Sequence, residues 1–275
     1  MTTWIFGFTA GRRRRSVLRI GPVREFVALL ALMWAICRGF FRTIATGKFP
    51  AEEYVRQTWF IIKVCTVPAL MVSIPFGVIL SLQVGVLAQE VGATAFTGAG
   101  NTLAVVRQAA PMITALMLAG VAGSAICSEI GSRKIREELD ALEVMGVNVA
   151  ERLVLPRAMA TVTVAMLLNG VVMFFCIITT LLVSAVVQNL SPGSYLASVA
   201  LLARPADLGL SLVKAAVFGV ICASIAAYKG MNASRGPAGV SDAVTSAVVL
   251  NFVALFAANF TISQAYAALF PGAVS

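Results

Sequence analysis

The chain has 275 residues, of which 59% are hydrophobic and 12% are charged, and its net charge is +9. Soluble domains are about 45–50% apolar and about 25% charged. This composition therefore excludes an ordinary cytosolic enzyme, a disordered chain and a disulfide scaffold. The mean hydropathy of +0.92 instead predicts an all-α polytopic membrane protein, in which the apolar residues form long helical blocks.

Metal and disulfide chemistry have little basis in this sequence. Histidine, the commonest metal ligand and the usual general base near neutral pH, does not occur. No two cysteines form a CxxC pair, so we expect buried free thiols and no metal site. The five cysteines are Cys37, Cys65, Cys127, Cys176 and Cys222.

Residues 1–57 are expected to form a cytoplasmic N-terminus with an interfacial amphipathic helix. The uncharged run Phe26–Cys37 is too short to cross a bilayer, and no cleavage site follows it. The four arginines at 12–15 favour an anchor to anionic headgroups over a nucleic-acid patch. The side chains expected to enter lipid are Phe26, Leu29, Leu30, Met33, Trp34 and Phe41.

Five transmembrane helices are predicted within a membrane domain at 58–270, because a span needs about 20 apolar residues. The block 158–203 is long enough for two spans, but the turn signal at 188–193 favours one span and an external loop. The predicted spans are about 60–87, 104–128, 154–187, 208–228 and 243–268.

The positive charges predict the orientation in the cytoplasmic membrane. Of the 21 Lys and Arg, 18 lie in the segments 1–63, 129–157 and 229–235. The positive-inside rule then places the N-terminus in the cytoplasm and the C-terminus outside.

Two stripes of small residues mark the second span. Ala115, Ala119, Gly123 and Cys127 form one stripe, and Gly120, Ser124 and Ser128 form the other. Such spacing lets helices approach closely, either within the chain or at a subunit seam.

Three charges are predicted at membrane depth, namely Glu90, Arg107 and Lys214. Charges inside a membrane are costly and indicate a functional role by default. The alternative places Glu90 and Arg107 at headgroup level and lets Lys214 extend outward to the interface.

A cavity in the bundle that accepts an apolar ligand needs mostly apolar walls. Lipid-facing and cavity-facing positions cannot be separated by periodicity in helices that are apolar all round. The residues selected for such a cavity are Leu70, Ile74, Val78, Leu82, Val86, Leu87, Phe252, Leu255 and Phe256.

Half of the 12 acidic residues lie in one cytoplasmic loop, at 129–151. Apolar residues recur there at helical spacing, from Ile135 to Met145, and Gly146 is a typical helix stop. We expect an amphipathic helix at about 131–146. Its apolar stripe favours docking on a cytoplasmic partner over a solvated connector.

The same loop belongs to an ordered set of motifs that resembles the MlaE/YrbE family, the permease subunits of lipid-transporting ABC systems. The resemblance extends over roughly residues 20–270. Its motifs are AGVAGSA at 119–125, SEIG at 128–131, ELDALEVMG at 138–146, LPR at 155–157, YKG at 228–230 and AVTSAVV at 243–249.

The resemblance implies that the loop helix is the coupling helix that seats in the ATPase subunit. The residues assigned to this coupling role are Glu129, Arg133, Arg136, Glu138, Leu139, Asp140, Leu142, Glu143 and Met145.

Within the family, the sequence VRQAAP at 106–111 is most similar to the YrbE permeases of actinobacterial Mce systems. That resemblance implies a second YrbE-type permease, in a heterodimer or a homodimer, MCE-domain proteins on the outer side, and import of fatty acids, sterols or other lipids. It implies no nucleic-acid partner.

ATP hydrolysis is expected on a separate subunit, because the chain has no phosphate-binding loop of the G-x-x-x-x-G-K-[ST] type. ATP and Mg would be bound there, with no cofactor on this non-catalytic chain. Two alternatives remain, a membrane scaffold and a lipid-modifying membrane enzyme. The enzyme would need clustered nucleophiles, acid–base pairs or metal ligands.

Overall fold

The protein was analysed as a computed structural model that describes residues 27, 29, 31–36, 38, 51–146, 150–202 and 204–269. Every regular element in this part of the chain is a helix, which confirms the predicted all-α polytopic class. Five helices are long and apolar enough to span a membrane: α1 (Ala51–Glu90), α2 (Thr94–Ile135), α4 (Arg152–Val187), α6 (Pro205–Met231) and α7 (Pro237–Leu269). Two are short: α3 (Glu138–Val144) and α5 (Pro192–Leu202).

The helices extend well beyond the apolar blocks that located them. α1 begins at Ala51 rather than near residue 60, and it crosses the predicted domain boundary at 57 and 58 without a break. Its 40 residues span about 60 Å, whereas a bilayer core is about 30 Å thick. Hydropathy marks only the part of a helix inside hydrocarbon, so the polar ends were missed.

The predicted interfacial helix lies only partly within the described residues. Leu29 and Ile36 are buried against the core formed by the long helices, whereas Trp34 is exposed. One face of this segment therefore packs on protein. Leu29 lies on that face, so the prediction that it enters lipid is wrong. Phe26, Leu30 and Phe41 lie outside the described residues.

A four-residue repeat of small side chains joins α1 to α4. If Gly77 carried a Cβ, that atom would lie 3.0 Å from the Cβ of Thr179, and Ser81 Oγ donates to the carbonyl of Thr180 at 3.2 Å. Small residues at this spacing let two backbones approach closely. The buried residues of the repeat are Cys65, Ala69, Ser73, Gly77, Ser81 and Gly85.

The paired residues also give the relative direction of α1 and α4. Near the beginning of both helices, Tyr54 Oη donates to Thr163 Oγ1 at 2.9 Å, and near their ends Gln188 Nε2 donates to the carbonyl of Ser81 at 2.8 Å. Partner numbers rise together, so the two helices are parallel. We call the side of the bundle at which α1 and α4 begin the α3 end, and the opposite side the α5 end.

The predicted external loop contains α5, which packs back onto the bundle. Tyr195 is buried, and its hydroxyl lies 2.9 Å from Thr180 Oγ1 of α4. A Cβ at Gly98 would lie 2.7 Å from the Tyr195 carbonyl oxygen, so this glycine lets α5 approach α2. Burial raises the pKa of the Tyr195 phenol, which is therefore neutral at physiological pH.

The two small-residue stripes of α2 have different environments. Ala115, Ala119 and Cys127 are buried within the chain, and so is Gly123, where an added Cβ would lie 2.6 Å from Asn251 Nδ2 of α7. This first stripe therefore packs inside the chain. The second stripe is partly exposed, and an added Cβ at Gly120 would meet nothing within 4 Å.

Candidate functional site

An ion pair near the α5 end joins α2 to α6. Arg107 lies in a π-helical stretch of α2, Val105–Ala109. Its Nε donates to Asp207 Oδ1 at 2.9 Å and its Nη2 to Oδ2 at 3.2 Å. Asp207 is buried in the first turn of α6, where the helix dipole favours a carboxylate. Both carboxylate oxygens thus accept from one guanidinium, the strong bidentate arrangement.

Lys214 lies two turns further along α6 and ties a third helix to this pair. Its side chain is buried, and Nζ donates to the backbone carbonyl of Arg107 and to Ser263 Oγ of α7, both at 2.8 Å. Lys214 therefore does not extend outward to the interface. Two cations and one carboxylate meet here, in the setting that favours a functional role for intramembrane charges.

Glu90 is not part of this cluster. It is the exposed last residue of α1, and the ion pairs found among the described residues do not include it. The carboxylate that pairs with Arg107 is Asp207, which the sequence reasoning missed. A usable signal existed, because Asp207 directly precedes the predicted fourth span, and an acid at that depth needs a cation nearby.

A second polar contact lies deeper in the bundle. Asn169 of α4 donates through Nδ2 to Ser211 Oγ of α6 at 2.8 Å, and Thr114 Oγ1 of α2 lies 3.4 Å from Asn169 Oδ1. All three side chains are buried. Hydrogen bonds of this kind hold membrane helices together where no hydrophobic drive exists between them.

The nine predicted cavity residues do not enclose a cavity within the described part of the chain. Ile74, Leu82, Val86, Leu87 and Phe256 are exposed. The small residues of α1 face α4, so its large side chains point outward. The remaining four residues comprise one that is fully buried in the core, Leu255, and three that are half-buried, Leu70, Val78 and Phe252.

The predicted coupling helix at 131–146 is wrong in its bounds. Residues 131–135 continue α2, since Gly131 is buried and an added Cβ would lie 3.2 Å from Val240 Cγ1 of α7. The chain then turns at Glu137, whose φ is +61°, and α3 begins at Glu138. Gly146, with φ +76°, follows α3 in the left-handed conformation typical of a helix stop.

Ion pairs close the turn between α2 and α3. Arg136 Nε donates to Glu138 Oε1 at 2.7 Å, and Lys134 is paired with Asp140. Three of the predicted coupling charges, Arg136, Glu138 and Asp140, therefore have partners within the loop. The partner of Asp140, Lys134, was not among the predicted residues. Exposed pairs of this type contribute little to stability, so they remain available to exchange partners.

The apolar stripe of the loop divides into two faces. Leu139 is buried against the chain and Leu142 is half-buried, so these two attach α3 to the bundle. Met145 is 68% exposed, and Val144, which the sequence reasoning missed, is 89% exposed. Together with exposed Glu143, these two form the outward tip of the loop.

Glu129 is partly exposed and pairs with two arginines of its own chain. Its Oε1 accepts from Arg133 Nη2 at 2.9 Å and from Arg157 Nη2 at 2.5 Å. Arg157 is 1% exposed and was not predicted as a site residue, although it ends the LPR motif. The coupling role of Glu129 and Arg133 stays a prediction, because both side chains are partly exposed although they also have partners within the chain.

A groove of about 510 Å³ lies between α2 and α7, in the parts of these helices nearest the α3 end. Four hydroxyl groups line it, and two of them belong to Ser124 and Ser128 of the second small-residue stripe. Its lining residues are Ser124, Ala125, Ser128, Pro237, Val240, Ser241, Val244 and Thr245. No set of His, Cys, Asp and Glu suitable for a metal ion occurs among the described residues, where the four described cysteines are buried free thiols.

Comparison with known families decides the identity of this bundle. The family model described as Permease MlaE matches residues 54–265, from the first turn of α1 to near the end of α7. The chain belongs to the MlaE permease family. The match covers all five long helices as well as the loop that contains α3.

Several curated relatives of this MlaE permease carry matching names. A protein of Synechocystis sp. named Probable ABC transporter permease protein is 34% identical over 187 residues, which cover 68% of this chain and 71% of the relative. A Rickettsia conorii protein of the same name is 28% identical over 69% of this chain and 73% of its own length. An Arabidopsis thaliana protein named TRIGALACTOSYLDIACYLGLYCEROL 1, chloroplastic, is 32% identical over 59% of this chain and 46% of its own length.

As an MlaE permease, the chain is a multi-pass membrane protein of the ABC transporter class. The family match favours a transport subunit over the lipid-modifying enzyme and the scaffold considered from sequence.

Proposed function

We propose that this MlaE permease is the membrane-spanning, non-catalytic subunit of an ABC transporter that moves lipids, and that a separate subunit binds ATP and Mg and hydrolyses the ATP. The observation that carries the proposal is the outward tip of the loop, Glu143 to Met145. Two exposed apolar side chains next to an acidic one, on a short helix anchored by Leu139, suit a groove on a protein partner.

The side on which the ATPase binds follows from charge. Most of the Lys and Arg that the structure describes lie near the α3 end, so the positive-inside rule puts α3 in the cytoplasm. The N-terminus is then cytoplasmic and the C-terminus extracytoplasmic, in the cytoplasmic membrane. ATP is available on that side alone, which is consistent with α3 as the coupling element.

The lipid substrate is supported by two features. The Arabidopsis relative is named after a diacylglycerol lipid. The outward face of α1 is lined by large apolar side chains with no charge between Lys63 and Glu90. Such a wall can pass acyl chains but offers a polar solute nothing to bind.

A second permease subunit would supply the opposite wall. Four of the six predicted cavity residues on α1 are exposed in the single chain, so a lipid path needs another surface facing them. We therefore infer a pair of permeases, with the VRQAAP form of α2 favouring the Mce arrangement. In that arrangement the partner is a related YrbE-type chain, MCE-domain proteins stand on the outer side, and fatty acids, sterols or other lipids are imported.

Reconstitution tests this function. The chain, its paired permease and its ATPase are placed in proteoliposomes, and transfer of a fluorescent fatty acid or phospholipid is followed with and without ATP. We expect ATP-dependent transfer that stops when Val144 or Met145 is changed to Glu, because a buried charge at the docking tip would prevent ATPase binding.

The matched control is Val91→Glu, which places the same charge on an exposed apolar residue at the α5 end. It should leave ATPase binding intact. If the ATPase fails to co-purify with the unaltered chain, or binds equally well to Val144→Glu, the coupling role of α3 is wrong.

A further inference from the structure

Arg157 stands where three helices meet at the α3 end, and it closes the loop that carries α3. Its Nη2 binds Glu129, 28 residues earlier in the chain, so one ion pair joins the last turns of α2 to the beginning of α4. Any displacement of the loop must therefore stretch, move or replace this pair.

The hydrogen bonding of Arg157 is incomplete. Its Nε and Nη1 are buried and have no partner. A guanidinium carries five N–H donors, and a buried charged donor without an acceptor is costly. A buried donor in this state calls for an acceptor, which a carboxylate that comes within reach in another conformation would supply.

A second carboxylate, that of Glu53, lies on α1 next to Tyr54, whose hydroxyl binds Thr163 six residues beyond Arg157 on α4. The charges that act on Arg157 are Glu129 and Arg133 of α2 together with Glu53 and Arg56 of α1, so two of the four are negative. Glu53 makes no hydrogen bond to Arg157 here, and its Oε1 accepts from Gln57 Nε2 at 2.8 Å. That neutral amide contact, and the 3.9 Å pair with exposed Arg56, are easily exchanged for a guanidinium.

We propose that Arg157 is a positioning residue of the transport cycle that exchanges carboxylates. It binds Glu129 in the present conformation and engages Glu53 when the α3 end of α2 is displaced. The exchange would pass motion of the loop to α1, whose outward face is the proposed lipid wall. This role in transport rests on the proposed function, whereas the exchange itself depends only on the chain.

A double-mutant cycle on the purified chain tests the exchange without the ATPase. In the unaltered background, Glu53→Gln should change the folded-to-unfolded ratio by less than about twofold, as is usual for exposed pairs. In the Glu129→Gln background, Arg157 turns to Glu53, and Glu53→Gln should then lower the ratio by about tenfold. Glu52→Gln, an exposed neighbour, should have no effect in either background.

The cycle has a definite contrary result. If Glu53→Gln has the same effect in both backgrounds, Arg157 does not engage Glu53 and the proposal is overturned. If Glu129→Gln fails to fold, Glu129→Asp replaces it as the second background. Aspartate keeps the charge but has a shorter side chain, so the effect of Glu53→Gln should differ between the two backgrounds in the same direction but by less.

The coupling role is tested next in the reconstituted transporter. Glu53→Gln should leave the thermal stability and ATPase binding unchanged and lower the lipid moved per ATP by about tenfold, within the range of coupling between sites. A purely structural role would not separate these two readouts. Lack of ATP-dependent transfer by the unaltered proteins would refute the proposed function, while the double-mutant cycle would still decide the exchange.

Discussion

Near each of its ends, α2 is joined to the beginning of a neighbouring helix by a partly buried ion pair, but the two pairs differ in how completely they are satisfied. At the α5 end, Asp207 accepts two bonds from Arg107 with both of its oxygens. At the α3 end, Arg157 gives one bond to Glu129, while its other donors on Nε and Nη1 have no partner.

The difference teaches which end can move. A bidentate pair supported by Lys214 and by a helix dipole has no better arrangement to reach, so it fixes α2 against α6. A half-satisfied arginine beside a second carboxylate has such an arrangement, so α2 can shift against α4. The fixed end lies toward α5 and the movable end lies beside the proposed ATPase contact.

Removal of Asp207 should have the largest effect. Asp207→Ala removes the carboxylate that pairs with Arg107, and we expect the free energy of unfolding to fall by about 3 kcal/mol, as for other broken pairs with a buried partner. Unfolding in mixed micelles measures this loss. Glu90→Gln, at the same end but exposed, is the control, and equal losses from the two changes would contradict a fixed joint.

A bulky residue in the middle of α2 should separate packing inside the chain from the exposed face. Gly123→Val drives the new side chain against Asn251 and should cost about 2 kcal/mol in the same unfolding measurement. Gly120→Val meets open space and should cost less than about 0.5 kcal/mol, the usual effect of a surface change. If the two variants lose equal stability, the two stripes do not differ as described.

Loss of the Glu129 charge should cost less than loss of Asp207. We expect Glu129→Gln to lower the free energy of unfolding by about 1 kcal/mol, a value typical of one net hydrogen bond, because Glu53 takes over part of the compensation. The measurement compares the free energies of unfolding of Glu129→Gln and Asp207→Ala. A loss as large as that of Asp207→Ala would show that the α3 end is as fixed as the other.

The hydroxyl of Tyr195 should make the smallest contribution. Tyr195→Phe removes its contact with Thr180 but keeps the ring, and we expect a loss of about 0.5–1 kcal/mol of unfolding free energy. Thermal unfolding of the purified chain can detect it. A change at Ser194, which lies on the exposed side of α5, should leave stability unaltered.

The number and order of the long helices could be predicted from the sequence, because charge-free apolar blocks of about 20 residues form transmembrane helices. The sequence was insufficient for the ends of helices. The polar turns of α2 up to Ile135 carry no hydropathy signal, and the break at Glu137 depends on backbone geometry that no composition reveals.

The site was predicted less completely than the fold. Arg107 and Lys214 were found because charges in apolar helices are conspicuous, but Asp207 and Arg157 lie at helix beginnings, where charges are ordinary. Their importance comes from burial and from partners more than 25 residues away in sequence, which follow from the packing of α2, α4 and α6.

The central claim, that α2 is fixed at one end and movable at the other, is tested by two spin-label distances in the reconstituted complex. One label pair at Glu52 and Ala141 reports on the α3 end, and another at Val91 and Leu208 reports on the α5 end; all four residues are exposed. On trapping ATP in the partner subunit, we predict a change of several Å, a displacement typical of such transitions, in the first distance and none in the second. Equal changes at both ends, or a change at the α5 end alone, would contradict the account.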